Sequence, residues 1–144
     1  MRSARRRSRE LAVQALYAWQ VAGNPVPDLL AHAAESRDYD KADGDFLRAL
    51  VTGAIREFAG LRTALEAHLE RPWEGLSPVE RAILLTAAYE FAHVPEVPYR
   101  AVINEAVEIA KSFGGNEGFR FVNGVLDRLA RATRPDAGAA GGAA

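Results

Sequence analysis

The sequence has no cysteine, and it has no apolar run that approaches the length of a membrane span. Without cysteine the chain cannot form disulfide bonds, thiolate metal sites or a cysteine nucleophile. A membrane-spanning helix needs about 20 consecutive apolar residues, so no membrane association through a span is expected. These absences favour a cytoplasmic protein that folds around an ordinary hydrophobic core.

Side chains that could carry catalysis or hold a metal are also sparse. The three histidines stand on different predicted elements, at His32, His68 and His93. No two of them have the spacing of metal ligands on one helix. Glu80 and Glu90 share a predicted helix, but they are about 15 Å apart along its axis, too far for a catalytic carboxylate pair. We therefore expect no enzyme, no metal and no cofactor.

The apolar residues recur at intervals of three and four, and no segment alternates long enough to predict a strand. This periodicity predicts an all-α domain of about seven helices. The clearest helix start is Ser77-Pro78-Val79-Glu80, a serine cap followed by proline and a capping-box glutamate. The helix that follows is apolar nearly all round, so we expect it at the centre. Residues 1–133 are predicted to form one helical domain and residues 134–144 a disordered tail.

Charge is distributed very unevenly along the chain. The first nine residues contain five arginines and no acid, whereas the remainder has 13 basic residues against 19 acidic ones, a net charge of −6. A basic N-terminal arm on an acidic body indicates a polyanionic partner. A solvated, disordered N-terminus is an equally good interpretation. A targeting peptide is a third, although the segment is short and has no apolar region.

Two aromatic side chains fall outside the predicted apolar stripes of their helices. Tyr17 and Arg6 point in nearly the same direction from the axis of the first helix, at the edge of its apolar stripe. Phe121 points about 100° away from the buried face of the last helix, which Phe119 is expected to share. Exposed rings beside basic residues are typical of proteins that bind single-stranded RNA. Docking of Phe121 under a neighbouring helix is the commoner alternative.

Three segments resemble the NusB family of bacterial transcription antitermination factors: RRRSRELAVQALYAWQ, LSPVERAILLTAAYEF and VPYRAVINEAVEIAKSFGGNEGFRFVNGVLDRL. The resemblance extends from Arg5 to about Arg131. It implies an all-helical fold of two small bundles packed together. It also implies that the protein, with the small-subunit ribosomal protein NusE, binds the single-stranded boxA element of nascent RNA. That complex would help RNA polymerase to read through terminators, notably in ribosomal RNA operons.

The resemblance also implies a set of RNA-binding residues. They comprise an arginine-rich motif, two aromatic rings and the flanking charged residues of the last helix: Arg5, Arg6, Arg7, Arg9, Tyr17, Glu117, Arg120 and Phe121. The family often has aspartate where this chain has Glu117. Glu80 is a candidate for contact with a protein partner, in addition to its role in the capping box.

Two other functions fit the residues less well. The chain could be a helical protein–protein adaptor whose basic arm binds an acidic protein or membrane surface. It could also act like the related accessory domain of some ribosomal RNA methyltransferases. That domain is fused to a catalytic domain with a cofactor-binding sheet, and this chain is too short to contain one.

Overall fold

The computed structural model describes residues 2–113 and 118–139, and these residues form helices and no strand. The described part contains seven α-helices: α1 Ala4–Ala22, α2 Val26–Ala33, α3 Gly44–Arg56, α4 Phe58–Glu66, α5 Pro78–His93, α6 Tyr99–Ser112 and α7 Gly118–Thr133. Three short 3-10 turns lie at Tyr39–Lys41, Trp73–Gly75 and Pro135–Ala137. The predicted all-α fold is confirmed. No helix within the described residues has both the length and the hydropathy needed to cross a membrane.

Local signals in the sequence set the ends of the helices. Ser3 caps α1, because its hydroxyl accepts a hydrogen bond from the backbone N–H of Arg6 at 3.0 Å. Helix α1 ends at Gly23, whose φ of 70° is easily adopted by glycine. Ser77 and Glu80 form a complete capping box at the start of α5, each side chain accepting the backbone N–H of the other. The predicted start of the central helix is therefore confirmed.

Helix α5 lies at the centre of two groups of helices. In the first group, α1 and α3 pack against α5, and α2 packs against α1 and α3. Helices α4, α6 and α7 form the second group and also pack against α5. Every residue from Ala82 to Phe91 is buried. Because neighbours surround α5, it needs apolar residues on nearly every side. The expected pair of small bundles is thus present, with α5 shared between them.

Helices α3 and α5 approach each other closely at Gly53. A Cβ atom on Gly53 would lie 2.1 Å from a ring carbon of Tyr89. Any larger residue would therefore force the Tyr89 ring out of its position against α3. Glycine at this position lets the two helices pack against each other.

Helices α1 and α5 run antiparallel. Arg9, near the start of α1, contacts Glu90 near the end of α5. At the opposite end Gln20 donates a hydrogen bond to the carbonyl oxygen of Pro78 at 2.9 Å. The arginines therefore lie at one end of this helix pair, and Tyr17 lies close to the other.

The chain is ordered beyond α7, which corrects the expectation of a disordered tail from residue 134. Arg134 is only 4% exposed and donates a hydrogen bond to the carbonyl oxygen of Val97 at 2.7 Å. The carboxylate of Asp136 accepts the backbone N–H of Tyr99 at 3.0 Å, which caps the start of α6. The expectation was wrong for residues 134–139 because polar contacts hold this turn, so it needs no apolar residues. Residues 140–144 lie outside the described part.

Candidate nucleic-acid interface

The arginine-rich segment forms the first two turns of α1 and is not a free arm. Helix α1 begins at Ala4, so the arginines from residue 5 onward are helical. Successive residues on a helix point about 100° apart, so neighbouring arginines leave the helix in different directions. The basic N-terminal segment is therefore helical, and its arginine side chains diverge.

Arg9 points into the interior of the protein. Its Nε and Nη2 atoms both donate to the carboxylate of Glu90 on α5, each at 2.8 Å. The Arg9 side chain is 6% exposed and that of Glu90 is 1% exposed. The predicted role of Arg9 at the RNA surface does not fit this position, because its guanidinium is enclosed between helices. The sequence could not reveal this, since Glu90 is 81 residues away.

Arg6 lies one turn earlier and makes a similar two-bond contact closer to the surface. Its Nε and Nη2 atoms donate to the two carboxylate oxygens of Glu105 on α6, at 2.8 and 2.6 Å. The Arg6 side chain is 26% exposed and that of Glu105 is 21% exposed. Arg9 adds a further contact to Glu105 at 3.2 Å. The hydrogen bonds from Arg6 hold the pKa of Glu105 below its usual range, although partial burial opposes that shift.

Arg2 and Arg7 turn toward the 3-10 turn at Tyr39–Lys41. Asp38, directly before that turn, accepts Arg7 at 2.5 Å and Arg2 at 3.1 Å. Arg2 also contacts Glu10 at 2.6 Å. Arg7 is 13% exposed, so little of its guanidinium faces solvent.

Arg5 lies along α3. Its guanidinium carbon is 4.3 Å from the centre of the Phe46 ring, a cation–π contact. Its Nε atom is 3.8 Å from Asp43, the residue that caps α3. At 40% exposure it is the most accessible of the four predicted arginines.

Carboxylates therefore face every arginine of the segment. The five arginines are Arg2, Arg5, Arg6, Arg7 and Arg9, and the five carboxylates are Glu10, Asp38, Asp43, Glu90 and Glu105. The +5 charge seen in the sequence is balanced by −5 from these partners. The fold converts a run of positive charge into a network of ion pairs.

Tyr17 is exposed, as its bearing on α1 predicts. The side chain is 42% exposed, one of the three large apolar or aromatic residues in the described part with this much open surface. It lies eleven residues after Arg6, a rise of about 16 Å along the helix. The structure thus places one exposed ring and one partly exposed cation on the same side of α1.

Phe121 is half-buried and packs against the core, so it is less accessible than predicted. The guanidinium carbon of Arg71 lies 4.3 Å from the centre of its ring. Arg71 is held there by Glu80, whose carboxylate it contacts at 3.2 Å. Glu80 therefore serves both the capping box and this ion pair.

The other predicted aromatics of this region also differ from the helical projection. Phe119 is half-buried, not fully buried, and the Nζ atom of Lys111 lies 5.1 Å from the centre of its ring. Phe113, the residue that caps the end of α6, is 41% exposed. Phe113 follows the last turn of α6 and Phe119 lies in the first turn of α7, so both rings stand at helix ends and not in the middle of an apolar stripe.

The remaining predicted residues lie at the start of α7 or just before it. Arg120 is exposed, and its guanidinium carbon is 5.7 Å from the centre of the Phe119 ring. Glu117 lies outside the described residues.

Gln20 follows Tyr17 by three residues and donates a hydrogen bond to Pro78, which lies two residues before Glu80. The aromatic residues of α1 and α7 are therefore brought to the same end of the bundle.

Sequence reasoning missed two residues that the structure brings to this surface, Glu105 and Arg71. Glu105 stands at the border of the apolar stripe of α6, next to buried Ala106. A carboxylate at the edge of an apolar stripe is partly removed from water, so it is expected to have a partner that is itself buried or half-buried. No pattern in the sequence indicates a role for Arg71, because it lies between α4 and α5 and only the tertiary fold brings it to Phe121.

The described residues contain no group of three or more histidine, aspartate or glutamate side chains that could hold a metal ion. The charged clusters on this surface pair carboxylates with arginines. A guanidinium binds a phosphate with the same two-bond geometry that it uses for a carboxylate. An exposed ring offers a surface on which a base can stack.

Comparison with known proteins identifies relatives along nearly the whole chain. The model of the NusB family matches residues 6–131. The chain is 53% identical over 134 residues to the transcription antitermination protein NusB of Burkholderia cenocepacia strain HI2424, covering 93% of this chain and 92% of the relative. It is 52% identical over 136 residues to the protein of the same name from Paraburkholderia phymatum, covering 94% of each.

Solved structures show the same fold. NusB of T. maritima superposes with a TM-score of 0.84 at 28% identity, covering 95% of this chain and 98% of that one. A complex of antitermination factors NusB and NusE with dsRNA contains a chain that superposes with a TM-score of 0.77, covering 88% of this chain and 96% of that one. Its identity is 24%, so it supports the fold alone.

Proposed function

The chain belongs to the NusB family of transcription antitermination proteins, and from this premise we propose that it binds boxA RNA together with NusE. The observation that carries the proposal is the side of α1 that presents Arg6 and Tyr17. A cation and an exposed ring on one helix face combine phosphate binding with base stacking. That combination fits a single-stranded RNA better than it fits a lipid surface or a folded protein.

RNA would follow α1 from the arginine turns toward the aromatic end. Arg5 and Arg6 are the predicted phosphate contacts with accessible guanidinium groups, and Tyr17 is the predicted stacking ring. Phe121 contributes at the far end, where Arg71 already covers one face of its ring. A base that stacks there meets an arginine as well as a phenylalanine.

NusE is the expected protein partner. Outside the first nine residues the chain carries a net charge of −6, which suits a basic ribosomal protein. A small RNA footprint on one helix also limits the affinity that this chain reaches alone. We therefore expect NusE to raise the affinity for RNA by adding contacts of its own.

The complex would act on RNA polymerase during transcription, in the cytoplasm. In this role the protein binds and positions other molecules, and it has no catalytic step of its own. Glu80 remains a candidate contact for a protein partner, at the start of α5.

The experiment is a binding titration with fluorescently labelled boxA RNA, with and without NusE. We expect tighter binding to boxA than to a scrambled RNA of equal length, and a further gain when NusE is added. Arg6→Ala should weaken binding, whereas Arg48→Ala should not. Arg48 is a matched control because it is an exposed arginine on α3, outside the arginine segment, that pairs with Asp45.

Equal affinity for boxA and scrambled RNA, both with and without NusE, would contradict the proposal. Binding to anionic lipid vesicles in place of RNA would favour the adaptor alternative. A salt titration adds a second measure, because each phosphate contact to single-stranded RNA contributes about −0.7 to the slope of log affinity against log salt.

A further inference from the structure

Glu105 stands out among the carboxylates that face the arginine segment. Glu90 is enclosed between helices, and Asp43 contacts Arg5 only at 3.8 Å. Glu105 takes both bonds of the Arg6 fork, at 2.8 and 2.6 Å, and is 21% exposed. It is a carboxylate that solvent and RNA can reach.

The contact between Arg6 and Glu105 uses the geometry that would otherwise serve a phosphate. A guanidinium binds carboxylate and phosphate through the same pair of parallel N–H groups. Since Glu105 occupies Nε and Nη2 of Arg6, an RNA phosphate must displace it or bind beside its negative charge. Either route lowers the binding free energy that a phosphate gains from its contact with Arg6.

The surroundings of Arg6 strengthen this competition. The pKa of Arg6 is raised first by the hydrogen bond to Glu105, and further by the charges of Glu105, Glu108 and Glu10. Three carboxylates thus act on one guanidinium. A polyanion that offers only charge meets a site that is already neutralised.

We propose that Glu105 is a specificity-determining residue that competes with RNA phosphate for Arg6. An RNA that also stacks on Tyr17 gains enough to displace the carboxylate, whereas an RNA that offers phosphates alone does not. Glu105 therefore lowers the affinity for non-cognate RNA more than the affinity for cognate RNA. This inference rests on the proposed RNA-binding function.

The test compares Glu105→Gln with Glu108→Gln in the full chain. Both variants remove one negative charge that acts on Arg6, but only Glu105 also accepts hydrogen bonds from its guanidinium, whereas Glu108 is 49% exposed and contacts Lys111. Affinity is measured by fluorescence anisotropy for poly-U RNA and for boxA RNA at one salt concentration. Arg9 keeps both bonds to Glu90 in either variant, so the interior pair is retained.

We expect Glu105→Gln to bind poly-U about fivefold more tightly than Glu108→Gln does, the factor that corresponds to a partly exposed ion pair. Its affinity for boxA should rise less, so the preference for boxA falls. In an Arg6→Ala background the same substitution should have no effect on poly-U binding, because the contested guanidinium is gone. A thermal melt of each variant verifies folding, and Glu105→Asp should give a smaller gain if Glu105→Gln does not fold.

Equal poly-U affinity of the two glutamine variants would overturn the inference. A loss of affinity in Glu105→Gln would overturn it too, since Glu105 would then hold Arg6 in place for RNA. Failure of the proposed function is a separate result: the parent protein would bind boxA no better than poly-U, with or without NusE. The poly-U comparison between variants still decides whether Glu105 competes for Arg6.

Discussion

Two ion pairs on consecutive turns of α1 look alike in chemistry and differ in burial. Arg9 and Glu90 form a two-bond contact that is almost completely enclosed, with side chains 6% and 1% exposed. Arg6 and Glu105 form the same kind of contact with side chains 26% and 21% exposed. Both arginines belong to the same run in the sequence, three positions apart.

Burial separates the roles of these two arginines. A buried carboxylate and guanidinium must stay together, because either one alone would be an uncompensated charge away from water. A partly exposed pair exchanges partners at a small free-energy cost, since water and ions screen the separated charges. Arg9 therefore joins α1 to α5, whereas Arg6 can exchange Glu105 for another anion at a small free-energy cost.

The largest expected effect comes from breaking the buried pair. Arg9→Ala leaves Glu90 without its partner and should lower the free energy of unfolding by about 3–5 kcal/mol. Arg6→Ala should lower the free energy of unfolding by about 1 kcal/mol or less, because Glu105 still contacts solvent and Arg9. Urea unfolding followed by circular dichroism measures both values.

A double replacement provides the control for this prediction. Arg9→Met combined with Glu90→Met removes both charges and should recover most of the lost stability, since no buried charge remains. If the single variants at Arg9 and Arg6 lose equal stability, the distinction between the two pairs is wrong.

A second prediction extends the comparison to two aromatic rings, one exposed to solvent and one partly covered. Tyr17 is exposed on α1, whereas Phe121 packs against the core beneath Arg71. Tyr17→Ala should weaken boxA binding by about 1–3 kcal/mol, the value of one stacked base, and should leave the unfolding midpoint nearly unchanged. Phe121→Ala should lower both RNA affinity and stability, because the ring is also part of the packing.

Paired RNA titrations and thermal melts of the two variants test this prediction. Phe119→Ala is a useful companion, since Phe119 is half-buried on the same turn of α7. A large loss of stability in Tyr17→Ala would mean that the ring belongs to the core and is not a stacking surface.

The smallest expected effect concerns pH and the exposed pair. The hydrogen bonds from Arg6 lower the pKa of Glu105 below the ordinary value of 4.5, so ionised Glu105 favours the folded state. This contribution is complete above that ordinary value and is lost as pH falls through the lowered pKa. The stability difference between the parent and Glu105→Gln, about 1 kcal/mol or less at neutral pH, should therefore shrink in acid.

Urea unfolding at a series of pH values measures that difference. Glu108→Gln is again the matched control, because it contacts Lys111 and not the arginine segment. A difference between parent and Glu105→Gln that stays constant down to about pH 3 would show that the pair does not stabilise the fold through ionised Glu105.

Local patterns predicted most of the helices and one exposed ring. The Ser77 capping box, the apolar character of α5 and the position of Tyr17 all follow from neighbours within a few residues. Predictions failed where long-range packing decides the outcome. Phe119 was expected on the buried face of α7, but it lies in the first turn of that helix and is only half-buried.

The C-terminal residues illustrate the same limit. A segment rich in glycine and alanine predicts disorder, since it has little apolar surface to bury. The turn at Pro135–Ala137 is nevertheless held by Arg134 and Asp136, whose partners lie about forty residues earlier. Hydrogen bonds to distant backbone groups leave no periodic trace in a sequence.

By itself the sequence determined the all-α fold, the central position of α5 and the membership of the NusB family. Helix periodicity, caps and glycine stops are local, so they can be recognised along a single chain. Only the tertiary structure decided what the arginines do. The five carboxylates that face them come from α1 itself, from α5 and α6, and from the segment that precedes α3. The net charge of a segment is a sum over sequence, whereas the electrostatic potential that RNA meets depends on distances between side chains that only the fold sets.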